Sequence, residues 1–543
     1  MKQLFQALMM VRRADRGSFH RRIVYVLLQS LLPLANLYVL KLLVDSVGNP
    51  ESHPVFSIFN FQFSFSTYHY LLVMCVIFLV NRIVAALAGV NSDVLHQRVI
   101  DYMSDLVQRQ ASSVDMSSFD QPAYHDIFHR AQQETVSRPL QIMDSFMAFF
   151  GAVVSIAGVT AMLLTAAWWV VLVMIVAVLP SFVVRMYKAR SIYAFRRDNT
   201  QLYRRTAYYG QLLTARNSAA EMRAFRLAPH FRRLFVEARV VLSSRLLTIS
   251  RRLGTLDVLC AVVEALAMFA VVGLLVREAF SGAITVGAFV MLFEAFRRGQ
   301  GYMTSLVSAV AQLYDNRLFV SNLFEFLNLK PTINPPASSI QIPRSSIECI
   351  EFRDITFRYP GMEHDVLSHF NFTARVGEVC RLDGRNGYGK STLVKLLLRL
   401  YDPADGAILA DGVDIRSFDP EVWRSRVAVV FQDFVRYACT FDENLAFGNG
   451  SSTGAGHSAL VSDIVGRLPR GGNTLLGRIF DGGEELSMGQ WQRVAITRAL
   501  SSDAPVLVMD EPLAWLDADA RQKFNDAIRS TAPGRIVILI SHL

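Results

Sequence analysis

The chain has no pair of cysteines placed to bridge or to hold a metal. Its five cysteines, Cys75, Cys260, Cys349, Cys380 and Cys439, are scattered through 543 residues without a Cys-x-x-Cys step. That excludes a disulfide framework and a zinc ribbon. No cleavable leader is evident, because the first apolar run follows a basic segment, exceeds leader length and lacks a small-x-small cleavage site. Charge is scarce too: 19% of residues are charged and 52% are hydrophobic. Such a chain is too apolar for an average soluble enzyme and long enough for two or more domains.

Crossing the hydrocarbon core takes about 20 apolar residues. Six stretches qualify, at about 22–47, 70–92, 141–164, 167–187, 256–277 and 283–310, the last being the least apolar. Between them, residues 48–69 and the turn near 165 contain no lysine or arginine. Positive charge gathers instead in the N-terminal segment (Lys2, Arg12, Arg13, Arg16, Arg21, Arg22) and between Lys188 and Arg252. The positive-inside rule then predicts a cytoplasmic N-terminus, short outside loops and two long inside segments, 93–140 and 188–255. The net charge of +9 therefore reads as membrane topology, and nucleic acid is not an expected partner.

Each inside segment is interrupted, at Phe119-Asp120-Gln121-Pro122-Ala123-Tyr124-His125-Asp126 and at Ala219–Phe225. These are either ordinary helix turns or short transverse helices that touch a cytoplasmic domain, and the pattern fits both. Asn81, Arg82, Asp144, Glu264, Glu294, Arg297 and Arg298 lie inside predicted spans. They are candidates for a cavity or for pairing between helices.

The proline-rich stretch from Lys330 to Pro343 reads as a linker, after which apolar strands alternate with helical patterns. The expected division is 1–330 membrane domain, 331–345 linker and 346–543 nucleotide domain. Gly384-Arg-Asn386-Gly387-Tyr-Gly389-Lys390-Ser391-Thr392 follows a strand and opens a helix. Glycines there let backbone N–H groups close on phosphate, Lys390 reaches the β- and γ-phosphates, and Ser391 ligates Mg²⁺. No motif accounts for Arg381 in the strand before it. Val506–Met509 is an apolar strand ending in Asp510 and Glu511. That placement suits a metal-holding carboxylate beside one that polarises water. A second anion-seeking helix start lies at Ser487, ahead of Gly489 and Gln490.

From about residue 348 the chain resembles an ATP-binding cassette (ABC) domain, and the whole resembles a half-size ABC exporter. The motifs fall in the family's order over about 200 residues: Tyr359, the loop 384–391, Gln432, the signature Leu486-Ser-Met-Gly-Gln490, Asp510-Glu511, Leu516-Asp517 and His542. The resemblance implies a fold of six membrane helices followed by an α/β P-loop NTPase domain with a helical subdomain. It implies ATP and Mg²⁺ as cofactors, Tyr359 against adenine, and Glu511, His542 and Gln432 in catalysis. Ser391, Gln432 and Asp510 would serve the metal.

It also explains two anion-seeking helix starts. Ser487, Gly489, Gln490 and Asp517 would close over ATP held by the loop of a second half-transporter, with a homodimer favoured over a heterodimer. Met488 replaces a glycine of the family's signature, and Trp515 is bulky where small residues are usual. The chain stops one residue past His542, so a cassette truncated just after this switch histidine is expected. Gln432–Tyr437, Thr440–Asn444 and Phe119–Tyr124 resemble exporters of lantibiotics and related peptides, and multidrug exporters share the architecture. The expected role is ATP-driven export of a peptide or amphipathic small molecule across the bacterial inner membrane, with the nucleotide domain in the cytoplasm. An ATP-gated regulator or a lipid flippase is the alternative.

Overall fold

Helices that are apolar on every side need a non-aqueous neighbour. Among the described residues of the computed structural model, five helices are long and apolar enough to cross a membrane. They are Arg16–Gly48, Thr67–Ser113, Arg138–Leu164, Trp168–Ile192 and Ala228–Phe280, and at most 28% of each apolar window is buried in protein. Leu72, Phe78, Leu79, Val183 and Phe269 stand exposed, which suits lipid and not water. The sixth expected span lies in the helix Val286–Leu327, where Glu294, Arg297 and Arg298 lower the apolarity.

The described residues are 2–48, 55–58, 61–64, 67–121, 124, 127–128, 138–164, 168–333, 347–384, 388–448 and 458–541. They form two compact units, one made of 1–111 with 127–328 and the other of 112–126 with 329–543.

In the first unit the helices close on Leu37, Val159, Leu163, Met174, Leu292 and Phe296. Gly158 lets two of them approach, since a Cβ there would lie 2.1 Å from Leu34 Cδ1. Ionisable groups within the spans find partners. Glu294 pairs with Arg297 at 2.6 Å and Arg298 at 2.9 Å, and Asp144 faces His96 at 3.4 Å. Glu264 accepts from the Ser181 hydroxyl. The second interrupting segment is a short helix, Ala219–Ala224, within this unit.

The first unit also carries a two-stranded hairpin, β1 (Val55–Ile58) with β2 (Phe61–Ser64). The second unit has two sheets. Antiparallel strands β3 (Cys349–Phe357), β4 (Leu367–Arg375), β6 (Asp405–Ala410) and β7 (Val413–Asp414) run in the order β4-β3-β6-β7. Parallel strands β5 (Val379–Asp383), β8 (Val427–Val430), β9 (Val506–Asp510) and β10 (Ile536–Ser541) run in the order β5-β10-β9-β8. In an open parallel sheet the ligand lies beyond the carboxyl ends of the strands. Those ends lead directly to the loop at 384, to Gln432, to Glu511 and to residue 542.

In β5, Cys380 and Leu382 pack inward while Val379, Arg381 and Asp383 are exposed, so Arg381 lies on the face opposite the core.

The first interrupting segment belongs to this second unit. Its helix Met116–Phe119 is followed by Asp120, whose carboxylate accepts from the Tyr401 hydroxyl. Asp115 accepts from Thr332 Oγ1 at 2.7 Å and the Ile333 amide at 3.3 Å.

Candidate functional site

The phosphate loop is shaped by one glycine above all. Gly389 has φ +76°, and a Cβ there would lie 2.7 Å from Leu367 Cδ2. Both facts exclude a larger residue. Gly389 starts the helix Lys390–Leu397, whose free N–H groups point back toward the loop. Lys390 Nζ donates to the carbonyls of Gly384 at 2.5 Å and Ser541 at 2.8 Å. Ser391 Oγ donates to Asp510 Oδ2 at 2.6 Å. Lys390 and Ser391 are thus already oriented by carbonyls and a carboxylate. Asn386, Gly387 and His542 lie outside the described residues.

The Ser391–Asp510 pair is a set of hard oxygen donors at the end of an apolar strand, with Asp510 only 3% exposed. That donor set fits Mg²⁺, which takes one or two protein oxygens and completes its shell with phosphate and water. Among the described residues no group of three or more His, Cys, Asp and Glu could hold a metal by itself.

Tyr359 is fixed beside the loop. Its hydroxyl lies 3.0 Å from Thr392 Oγ1. Its ring meets Phe357 edge-on at 5.0 Å and Tyr401 at 5.4 Å, and Lys395 Nζ sits 5.0 Å from its centroid. Tyr401 is 4% exposed, and burial followed by its bond to Asp120 pushes its pKa well up. The phenol therefore stays protonated and remains a donor.

Glu511 follows β9 with φ +51°, a left-handed conformation that costs a non-glycine residue about 1–2 kcal/mol. Two hydrogen bonds to its main chain hold it there. Its amide donates to Ile540 O at 2.9 Å, and its carbonyl accepts from Gln492 Nε2 at 3.0 Å. Gln492 is 3% exposed, and its Oε1 accepts from the Trp515 amide at 2.9 Å. Gln492 was not among the expected site residues. The signal was there as a lone amide between Trp491 and Val494 on a buried helix face.

That helix, Met488–Leu500, opens with a capping box. Ser487 Oγ accepts from the Gln490 amide at 3.3 Å, and Gln490 Oε1 accepts from the Ser487 amide at 2.8 Å. Ser487 is exposed at the tip. A Cβ at Gly489 would lie 2.6 Å from Trp515 O, so this glycine keeps the helix start against the 514–517 turn. Asp517 caps the next helix, its Oδ1 accepting from the Ala520 amide at 2.8 Å. Arg493 forms a two-point pair with Asp463 at 2.9 and 3.1 Å, anchoring the signature helix. Gln432, Met488, Glu511 and Trp515 line one cleft of about 260 Å³. The structure thus brings Gly384, Gly389, Lys390, Ser391, Thr392, Tyr359 and Asp510 into one cluster. Gln432 and Glu511 share a cleft with the helix start that carries Ser487.

Comparison with known proteins agrees with this geometry. Residues 367–514 match the family described as ABC transporter. The chain is 25% identical over 566 residues to the subtilin transport ATP-binding protein SpaT of Bacillus subtilis, spanning 100% of this chain and 88% of the relative. It is 25% identical over 534 residues to the nisin transport ATP-binding protein NisT of Lactococcus lactis subsp. lactis, spanning 96% and 86%. An ATP-dependent lipid A-core flippase of Haemophilus ducreyi is 32% identical over 296 residues, covering 53% of this chain and 50% of the flippase. In fold, the chain matches a bacterial Atm1-family ABC exporter solved with ATP bound, at TM-score 0.78 and 21% identity, over 97% of this chain and 92% of that one.

Residues 367–514 are an ABC transporter domain, and with the apolar helices ahead of it the chain has the architecture of a half-size ABC exporter that hydrolyses ATP.

Proposed function

We propose that two such chains, most simply two copies, pair to export a peptide across the bacterial inner membrane, with residues 1–330 spanning it and 346–543 in the cytoplasm. Each ATP lies between the loop 384–391 of one chain and the Ser487 helix start of the other. Tyr359 supports the adenine, and Lys390 with Thr392 and the loop amides holds the phosphates. Ser391, Asp510 and Gln432 would hold Mg²⁺, which when bound would neutralise phosphate charge. Glu511 takes a proton from water as its oxygen bonds the γ-phosphorus and the bridging bond to ADP breaks. His542 contributes to the same step.

The observation that supports this reading is the split between the two halves of the site. Ser391 is bonded to Asp510 and Lys390 to the Gly384 and Ser541 carbonyls, while Ser487 is exposed at the start of a separate, capped helix. A helix N-terminus presented to solvent is suited to an anion held by another molecule. Likeness over the full chain to two peptide-antibiotic transporters favours a peptide over a lipid. The test uses inverted membrane vesicles. ATP-dependent, vanadate-sensitive uptake of a labelled amphipathic peptide is expected. Flipping of labelled lipid with no peptide uptake overturns the substrate reading.

A further inference from the structure

The first unit contains a cavity of about 730 Å³ between four of its helices, Arg138–Leu164, Trp168–Asp198, Ala228–Phe280 and Val286–Leu327. Its size suits a small ligand or a few residues of extended chain. Its chemistry is one-sided. Arg185 and Lys188 line it, and among the described residues Asp257 is the single lining carboxylate. Lys188 Nζ reaches Asp257 only at 3.4 Å, with both side chains about one-third exposed (36% and 34%). Arg185 donates to the Ser308 hydroxyl at 2.7 Å, a neutral partner, and among the described residues no carboxylate pairs with it.

The amides add to the imbalance. Gln141 and Asn316 line the cavity, and their oxygens accept from Arg138 at 3.1 Å each. The oxygen of Gln312 accepts from Ser145 at 3.0 Å. What these three amides still offer a ligand is their NH₂ donors. The described lining therefore presents donors from five side chains against one carboxylate. Placing such groups among membrane helices is costly unless something repays the desolvation.

We propose that this cavity binds a carboxylate of the exported peptide, either an acidic side chain or a free C-terminus. The inference rests on the peptide-export reading and makes its substrate class narrower. Arg185 grips the carboxylate by two parallel N–H groups. Lys188 turns to it from Asp257, and the amides take backbone carbonyls on either side. Lys188 opens the arginine-rich segment assigned to the cytoplasm, so the cavity lies where a peptide would enter. A phosphate on a lipid headgroup would find the same donors, and the test separates the two.

The full chain is reconstituted in phosphatidylcholine liposomes. Uptake is measured for a fluorescent twelve-residue amphipathic peptide with two glutamates and a free C-terminus. Its neutral twin carries glutamines and a C-terminal amide. The acidic peptide is expected to half-saturate at a concentration about tenfold lower, as befits a charge-assisted bidentate contact. R185Q with K188Q should erase that difference, and D257N should widen it. Equal half-saturation of both peptides by the wild-type chain overturns the carboxylate inference and leaves peptide export standing, and it needs no variant to fold. Uptake of neither peptide while ATP is hydrolysed overturns both readings. Loss of acidic-peptide uptake on adding phosphatidylglycerol, with labelled phosphatidylglycerol flipped in its place, assigns the cavity to lipid and overturns the proposal.

Discussion

Gln492 joins Glu511 to Trp515: its Nε2 donates to Glu511 O at 3.0 Å while its Oε1 accepts from the Trp515 amide at 2.9 Å. The helix that begins at Ser487 is thereby fastened to Glu511, the residue proposed to polarise water.

Gln492→Leu keeps bulk but removes both bonds. Leaving a buried amide or carbonyl unsatisfied costs about 1–3 kcal/mol. The ATP affinity of this variant is expected to hold, because Lys390 and Ser391 are untouched. Turnover should fall by about tenfold or more, as that energy implies. Equal losses in nucleotide binding and turnover would show a general unfolding of the domain.

Glu511 separates chemistry from stability. Glu511→Gln should cut hydrolysis by about 10²–10⁴, the usual range for loss of a general base, and leave ATP trapped. Glu511→Gly should be as inactive, yet it relieves the left-handed backbone at φ +51°. Its unfolding temperature is expected to match or exceed that of the Gln variant. Calorimetry of the two side by side checks it, and a clearly lower value for glycine would refute the strain argument.

Asp120 and Tyr401 connect the first interrupting segment to the nucleotide fold, and Tyr401 touches Tyr359 in turn. Tyr401→Phe keeps the ring and removes the bond to Asp120. Nucleotide affinity should change little, whereas peptide-stimulated turnover should fall toward the unstimulated rate. The wild-type phenol, with its pKa raised by burial and by Asp120, contributes no titration of this contact between pH 6 and about 9. A pH-dependent loss of stimulation in that window, absent from the Phe variant, would contradict this.

Much of the site was legible because its residues are tied to local geometry. Gly389 must be glycine to turn the loop, and Asp510 and Glu511 end an apolar strand. Ser487 and Gln490 write a capping box in four residues. The spans were legible by length and apolarity, except that Glu294, Arg297 and Arg298 dilute the last one by pairing among themselves. Contacts across long sequence separations were not readable. Nothing local says that Gln492 will meet Glu511, or that Asp120 will meet a tyrosine 281 residues away. No motif accounted for Arg381; its neighbours Cys380 and Leu382 carry the packing of that strand while it faces away from the core. The donor-rich cavity was hidden for the same reason, since Gln141, Arg185, Asp257 and Gln312 sit on four different helices.

Mixed chains test most directly whether each ATP site is built from two chains. Ser487→Arg sets a bulky cation where the helix start must approach the partner's ATP, while Lys390→Ala removes the phosphate contact in the chain's own loop. A dimer carrying one variant on each chain then has one site with both groups intact and one site with neither. The account predicts vanadate-trapped labelled nucleotide at one site per mixed dimer, with almost none in either variant alone. If each site were built within one chain, both chains of the mixed dimer would carry a defect. No trapping above the level of the single variants would then be seen, and the account would be contradicted.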